Sequence, residues 1–569
     1  MRNLPLRFAV LSAFAGLVSL LAVGPIANND IWLHLKTGSL ILERWQVPQV
    51  DAYTFTRVGA PYIAHEWLAQ VVFAILYRLG GGLKALSLAY AALAGTLLWL
   101  IYRETALRIV QDGADRRIWA GAIATLTTVI AFFQIASFLA IRPHIFSFLF
   151  VATFTAILPR LELGESKPRS MTLLALLFLQ LLWANLHGAF IIGILLAAIH
   201  VAASALSRRR VTRMVALPLA LAAVSCLNPY GWRIYSLVSR FSDPIFRRVI
   251  VEWESPFESR FASTHVFAVY LLWLGGALSA GVWAAKRRRD FAPLMSVLTF
   301  GAMSALSRRH ICLLVIVTAP LIGRGIAAAA APFSRRSPGV VIAAGWAALL
   351  PVLCLAGLIV NGLLSDSAVP LRPGIVARNI PVESLEVMRA ENLHGRVFTT
   401  IGLGSYVTWR GWPDLTTSID SRLEVFGGAF ITTHLMAERD PERFKEFLAH
   451  QPFDLALLPW RLTSVRGALT ALESDQDWAL IYFDDVVVLY ARRTPEREAL
   501  IERRAFHAID PVRFLAQEGF GSSIDLSAAR REAERAASDP QVLPGRPPVN
   551  TVALRMLRIL LPSSSPKPS

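Results

Sequence analysis

Hydrophobic and polar positions divide this chain into two unequal parts. An apolar helix needs about 20 residues to cross a bilayer, with a range near 17–25. Runs of that kind occur at 8–27, 83–101, 118–139, 143–159, 171–186, 188–206, 212–227, 265–285, 291–307, 309–328 and 338–363. The runs 171–186 and 212–227 are short, and 143–159 begins at Pro143. The pattern predicts an α-helical polytopic membrane protein with about 11 transmembrane helices. Shorter apolar helices are expected over Ile31–Trp45 and Leu68–Leu79, inside the first loop. From Asn379 the period changes. Gly395–Thr399, Tyr406–Trp409 and Thr416–Ile419 read as strands. Residues 429–450 and 464–474 read as helices, and Phe453–Leu458 as a buried strand. Trp478–Tyr482 and Val486–Arg492 flank a hairpin turn. The predicted division is a transmembrane domain over 1–363, an extracytoplasmic α/β domain over 364–495, and a helical and disordered tail over 496–569.

Lys and Arg set the orientation. Arg2 and Arg7 precede the first run. Basic clusters follow the second run (Arg103, Arg108, Arg116, Arg117), the fourth (Arg160, Lys167, Arg169) and the sixth (Arg208, Arg209, Arg210, Arg213). They follow the eighth (Lys286 to Arg289) and the tenth (Arg335, Arg336) as well. Every even-numbered exit is basic, so the N-terminus is expected in the cytoplasm and the C-terminal domain outside. The first run lacks a small-residue cleavage site and is long enough to span, so it reads as a retained helix.

Composition agrees: 54% of the 569 residues are hydrophobic and 17% charged, against about 25% charged in soluble proteins. A net charge of +17 raises nucleic acid as a partner. The basic residues fall instead in short clusters between apolar runs, with no basic face carrying interleaved aromatics, which argues against it. Cys226, Cys312 and Cys354 form no CxxC or Cys/His pairing, so neither zinc nor a disulfide framework is supported.

Polar residues of catalytic type gather on the expected outer side. The first outer loop, 28–82, holds Asp30, His34, Asp51, His65 and Glu66. Arg142 and His144 follow, then Asn185 and His187, then Asn228, Glu252 and Glu254 in the outer loop 228–264, then Arg308, Arg309 and His310. Such groups at a bilayer are costly unless they serve a purpose. Asp30 suits a base and equally caps the following helix. Glu66 suits a second acid, a metal ligand or a helix-start carboxylate. The histidines, not being at i, i+4 spacing, form no zinc motif. Asn185 and Asn228 sit among Gly and Pro where helices end. Arg308 and Arg309 break the positive-inside pattern and suit a phosphate; the alternative is snorkelling to headgroups. Gly402-Leu403-Gly404-Ser405 reads as a structural turn, and Asp420 with Arg422 as a buried ion pair.

Asp30-x-Trp32-x-His34-Leu35-x-x-Gly38, His65-Glu66-Trp67-Leu68, Arg142-Pro143-His144, Trp183-x-Asn185-x-His187-Gly188, Asn228-Pro229-Tyr230-Gly231, Glu252-Trp253 and Arg308-Arg309-His310 resemble a group of bacterial polytopic membrane proteins. That group is similar to the GT-C superfamily of glycosyltransferases, which includes protein mannosyltransferases and the aminoarabinose transferase of lipid A. The resemblance implies a GT-C-like membrane enzyme in a bacterial inner membrane. It would transfer a sugar from a polyprenyl-phosphate donor to an extracytoplasmic acceptor (lipid, glycan or protein). Asp30 matches the superfamily's essential acid, with Glu66 in support. Where many members carry an acidic pair, this chain has Asn29-Asp30. Some members use a divalent metal such as Mg or Mn and others none, so the cofactor stays open. The implied substrate-binding set is His34, His65, Arg142, His144, Asn185, His187, Asn228, Glu252, Arg308, Arg309 and His310. The alternatives are a transporter or flippase of lipid-linked glycan, against which the scarcity of mid-span charge counts, and a non-catalytic envelope assembly protein.

Overall fold

The computed structural model describes Ile26 and residues 28–112, 117–163, 166–207, 214–262, 264–336, 379–516, 525–538 and 550–560. The first and last expected spans, 8–27 and 338–363, lie outside these residues save for Ile26. The described residues form two compact units. One comprises 26, 28, 37–47 and 63–336; the other comprises 29–36, 48–62 and 379–560.

The first unit is helical. Helix α1 (Asp30–Arg44) enters it from Thr37 onward, followed by α2 (Trp67–Leu79), α3 (Leu83–Gln111), α4 (Arg117–Ile135), α5 (His144–Ile157), α6 (Ser166–Leu186) and α7 (Ile191–Leu206). Then come α8 (Leu217–Ser225), α9 (His265–Arg288), α10 (Ala292–Leu306) and α11 (Ile311–Arg336). Five of the described helical stretches are long and apolar enough to cross a membrane. Helix α11 is the hub, packing on α3, α4, α5, α9 and α10. Its residues Ile311 to Val317 are all buried, as expected of a helix apolar on every side. At Gly323 a Cβ would lie 2.3 Å from Thr105 Cγ2, so only glycine lets α11 approach α3 this closely.

The second unit is built on a five-stranded sheet, ordered β2-β1-β3-β5-β4. Its elements are α12 (Val382–Ala390), β1 (Gly395–Thr399), α13 (Ile401–Gly411), β2 (Leu415–Thr417), α14 (Gly428–Arg439) and α15 (Pro441–His450). β3 (Leu455–Leu458), α16 (Arg466–Ser474), β4 (Trp478–Phe483) and β5 (Val488–Arg492) follow. β2, β1 and β3 run parallel, while β5 is antiparallel to β3 and β4. The single helix expected over 429–450 is two, broken where Asp440 caps α15 by accepting from the backbone N–H groups of Glu442 and Arg443. The Tyr406–Trp409 strand is not present. Those residues lie in α13, where Tyr406, Val407 and Thr408 are buried. A Cβ at Gly404 would sit 1.9 Å from the Ile419 carbonyl oxygen, so the glycines mark close helix packing rather than a turn. Strand propensity yields here to tertiary contact.

Beyond 495, α17 (Glu498–Arg504), α18 (Pro511–Ala516), α19 (Leu526–Ser538) and α20 (Thr551–Leu560) follow. Phe506, Phe514, Ala533 and Met556 of this stretch join the core of the α/β unit, which therefore reaches past the boundary drawn at 495. The expected disordered end, 562–569, lies outside the described residues.

Loop residues 48–62 are stitched into the same unit. Phe55 N donates to Thr417 O at 3.1 Å and Thr417 N to Tyr53 O at 3.4 Å, a short parallel bridge on the β2 edge. Arg422 donates from Nη2 to Asp51 and to Asp420, each at 2.6 Å. Its guanidinium lies 4.7 Å from both the Tyr53 and Tyr62 ring centres. The expected Asp420–Arg422 pair is thus present, enlarged by Asp51.

Candidate active site

Glu66 sits at the N-cap of α2, held by its chain neighbours. The Ala64 N–H donates to the Tyr230 hydroxyl at 2.8 Å. Burial pushes the Tyr230 phenol up to about 12, so it stays neutral near pH 7. Trp67 Nε1 donates to Asn185 Oδ1 at 2.8 Å. Glu66 Oε1 lies 3.3 Å from His187 Nε2 and 3.8 Å from His65 Nε2. The carboxylate therefore sits between two imidazoles.

Hydrogen bonding assigns the His187 tautomer. Its Nδ1 accepts from the Ala189 backbone N–H at 3.3 Å and lies 2.7 Å from Ser147 Oγ. Ser147 Oγ in turn accepts from Trp183 Nε1 at 2.7 Å. Nδ1 is thus an acceptor, and in the neutral ring the proton sits on Nε2, facing Glu66. His65 owes its place to Gly188, where a Cβ would meet His65 Cδ2 at 2.9 Å.

A second group lies in the same unit. Arg142 Nη1 donates to Glu252 Oε1 at 2.8 Å, both side chains being partly exposed. Ser307 Oγ donates to the Glu252 carbonyl and Arg308 N to the Glu254 carbonyl, latching the 250–254 segment to the turn before α11. Arg308 stacks on Phe261 with its guanidinium carbon 4.8 Å from the ring centre, and Arg309 on Trp253 at 5.0 Å. Among the described residues neither has a carboxylate within the 4 Å of an ion pair. The charge of Arg309 nevertheless feels those of Glu252, Arg142 and Glu66, which joins the two groups electrostatically. Among the described residues Arg308 Nε and Trp253 Nε1 are buried donors without an acceptor, and a buried donor normally has one.

Four sequence candidates serve the framework. Asn185 donates to the Leu181 and Leu227 carbonyls while accepting from Trp67. Asn228 closes its own turn, donating to Ser225 O and Gly231 O and accepting from Tyr230 N. His144 bonds the Phe138 carbonyl and His310 the Met303 carbonyl. These bonds tie the four side chains to the surrounding backbone. Ser147 was not foreseen: a lone hydroxyl within an apolar helix carries no sequence signal of its role. Asp30 and His34 belong to the second unit. Asp30 opens the first turn of α1 and is half-buried, and His34 is buried. Between them Trp32 is fully buried, stacked on Trp409 at 4.7 Å and edge-on to Tyr406 at 5.0 Å. Among the described residues no group of three or more His, Cys, Asp or Glu is arranged to hold a metal ion.

Comparison with protein-family models finds no match, and neither does comparison with curated proteins. Solved structures do match. One is the Archaeoglobus fulgidus oligosaccharyltransferase tethered to an acceptor peptide, with TM-score 0.58 and 11% identity over 86% of this chain and 74% of that one. Another is the arabinofuranosyltransferase AftD from Mycobacteria, with TM-score 0.54 and 16% identity over 87% of this chain and 40% of that much longer one. A third is ArnT from Cupriavidus metallidurans bound to undecaprenyl phosphate, with TM-score 0.50 and 13% identity over 87% of this chain and 99% of that one. The chain shares its fold with these transferases.

Proposed function

We propose that this protein is a membrane glycosyltransferase that moves a sugar from a polyprenyl-phosphate donor to an extracytoplasmic acceptor. One observation carries the reading: Arg308 and Arg309 rest on aromatic faces, Arg309 within electrostatic reach of Glu252 and Glu66, and among the described residues neither has a carboxylate in ion-pair contact. Stacking orients a guanidinium and leaves its N–H edge for an anion, and phosphate oxygens fit that edge two at a time. Two of the structural neighbours are described with a lipid phosphate, dolichol phosphate in one and undecaprenyl phosphate in the other, which supports the same ligand class here.

In the reaction an acceptor hydroxyl loses its proton to a carboxylate as its oxygen bonds the anomeric carbon. The bond from that carbon to the phosphate oxygen breaks, and its electron pair leaves with the lipid phosphate. Asp30 is assigned as the base from its place at the start of the first outer loop. Glu66 supports proton movement, its partner His187 held in one tautomer by Ser147 and Ala189. Arg142, Arg308 and Arg309 take up the charge that develops on the leaving phosphate. The C-terminal unit holds the acceptor. The protein faces outward from a bacterial inner membrane with its N-terminus in the cytoplasm.

Mass spectrometry of envelope glycans tests this in cells carrying wild-type protein, Asp30→Asn, Glu66→Gln, Arg309→Ala or no protein. Loss of one sugar increment in the deletion and in the variants is expected. If the deletion loses the increment while all three variants keep it, the protein is a transporter or scaffold and the transferase reading fails.

A further inference from the structure

Tyr90, two turns into α3, is buried. Among the described residues its hydroxyl has no hydrogen-bond partner, whereas a buried tyrosine hydroxyl usually has one. Packing alone does not call for the oxygen, because phenylalanine would fill the same space and leave no polar atom unpaired. The hydroxyl calls for a partner that the described residues do not supply.

Helix geometry brings Tyr90 level with Arg309. Helices α3 and α11 run parallel: Gly323 of α11 meets Thr105 and Ile109 of α3, and Arg324, one residue on, binds Asp112 just past the end of α3. Arg309 precedes Gly323 by 14 residues and Tyr90 precedes Thr105 by 15, about 21 and 22 Å of helix at 1.5 Å per residue. The electrostatic neighbours agree, since Tyr90 and Arg309 both lie within reach of Arg142 and Cys312. The carboxylates nearby are engaged, Glu252 with Arg142 and Glu66 with His187. What remains without an acceptor is a set of groups that can donate: the Tyr90 hydroxyl, Arg308 Nε and Trp253 Nε1. An ionised phosphate oxygen only accepts, and so answers donors of this kind.

We infer that Tyr90 is a binding residue for the lipid phosphate, its hydroxyl donating to a phosphate oxygen held by Arg142 and Arg309. It adds a neutral donor from the wall of α3, which fixes where the phosphate sits without adding charge. A single tyrosine inside an apolar helix carries no sequence signal of that role. The inference rests on the polyprenyl-phosphate reading of this site and adds a residue to it.

Binding of undecaprenyl phosphate and of undecaprenol to the full-length protein in detergent tests it, in wild type and Tyr90→Phe, together with the thermal midpoint of each protein without lipid. Tyr90→Phe is expected to weaken undecaprenyl phosphate about tenfold or more, the worth of one hydrogen bond to a charged group. Undecaprenol, which has the chain but no phosphate, should bind both proteins equally. The lipid-free midpoint should stay or rise, because the substitution removes only an orphaned hydroxyl. Undecaprenyl phosphate bound equally by both proteins overturns the inference, and so does an equal weakening of undecaprenol. A lowered lipid-free midpoint overturns it as well, since the hydroxyl then has a partner within the free protein. If wild type binds undecaprenyl phosphate no better than undecaprenol, the polyprenyl-phosphate reading itself fails and this inference with it.

Discussion

Arg422 of the C-terminal unit and Arg309 of the helical unit begin alike. Each guanidinium lies against aromatic rings, Tyr53 and Tyr62 for one and Trp253 for the other. They differ in their carboxylates. Arg422 meets Asp51 and Asp420, with its side chain 4% exposed and that of each aspartate 0%. Arg309 has none within ion-pair distance among the described residues. A buried arginine with two carboxylates is a closed account of charge and holds two segments together. A stacked arginine without one remains available to an anion that comes and goes. The number of carboxylates in contact, rather than the arginine or its aromatic seat, separates structural from functional use.

The largest effect should come from opening the closed site. Arg422→Ala leaves Asp51 and Asp420 buried without a cation and should cost about 3–5 kcal/mol, read as a lowered thermal midpoint and early proteolysis near residues 48–62. If that midpoint is unchanged, the triad is no lock. Arg309→Ala should behave oppositely, keeping the midpoint while lowering turnover by about 10²–10³. A matched loss of stability and activity would erase the distinction between the two arginines. Gly188→Ala acts one step from the chemistry, pressing on the His65 ring. It should cost about 1–3 kcal/mol in stability or activity, and an unchanged enzyme would show that the ring moves freely.

The smallest effect concerns a carboxylate short of cations. Burial, then Asp510 nearby, push Glu473 up to about 7, with Arg513 opposing. Its folded form holds a proton that the unfolded chain releases near its ordinary value of 4.5. Stability from this group is therefore full at low pH, falls between about 4.5 and 7, and is flat above. Glu473→Gln should flatten that slope in thermal unfolding of the full-length protein across this window. An identical slope in the variant would remove Glu473 as its cause.

Much of the outline was legible beforehand. The long apolar runs located apolar helices among the described residues, and the Asp420–Arg422 pair was visible as a neighbouring opposite charge. Local pattern misled where packing decides. Tyr406–Trp409 alternates like a strand yet lies in α13, because Gly404 lets that helix sit on the Ile419 carbonyl. Asn185 and Asn228 looked like substrate contacts because short polar residues at helix ends suit either task. Their bonds to the Leu181, Leu227, Ser225 and Gly231 carbonyls become visible only once the helices pack.

By itself the sequence determined that most of this chain is helical and membrane-sized, that an α/β unit follows, and which polar residues border the spans. Those properties depend on local composition and period, which neighbouring residues carry. The tertiary structure decided that Asp51 pairs with Arg422 across 371 positions, and that Ser147 orients His187. It also decided which arginines are neutralised and which lie open on an aromatic face. Partners so far apart in the chain meet only when helices and strands pack, and charge compensation is a property of that meeting rather than of either residue.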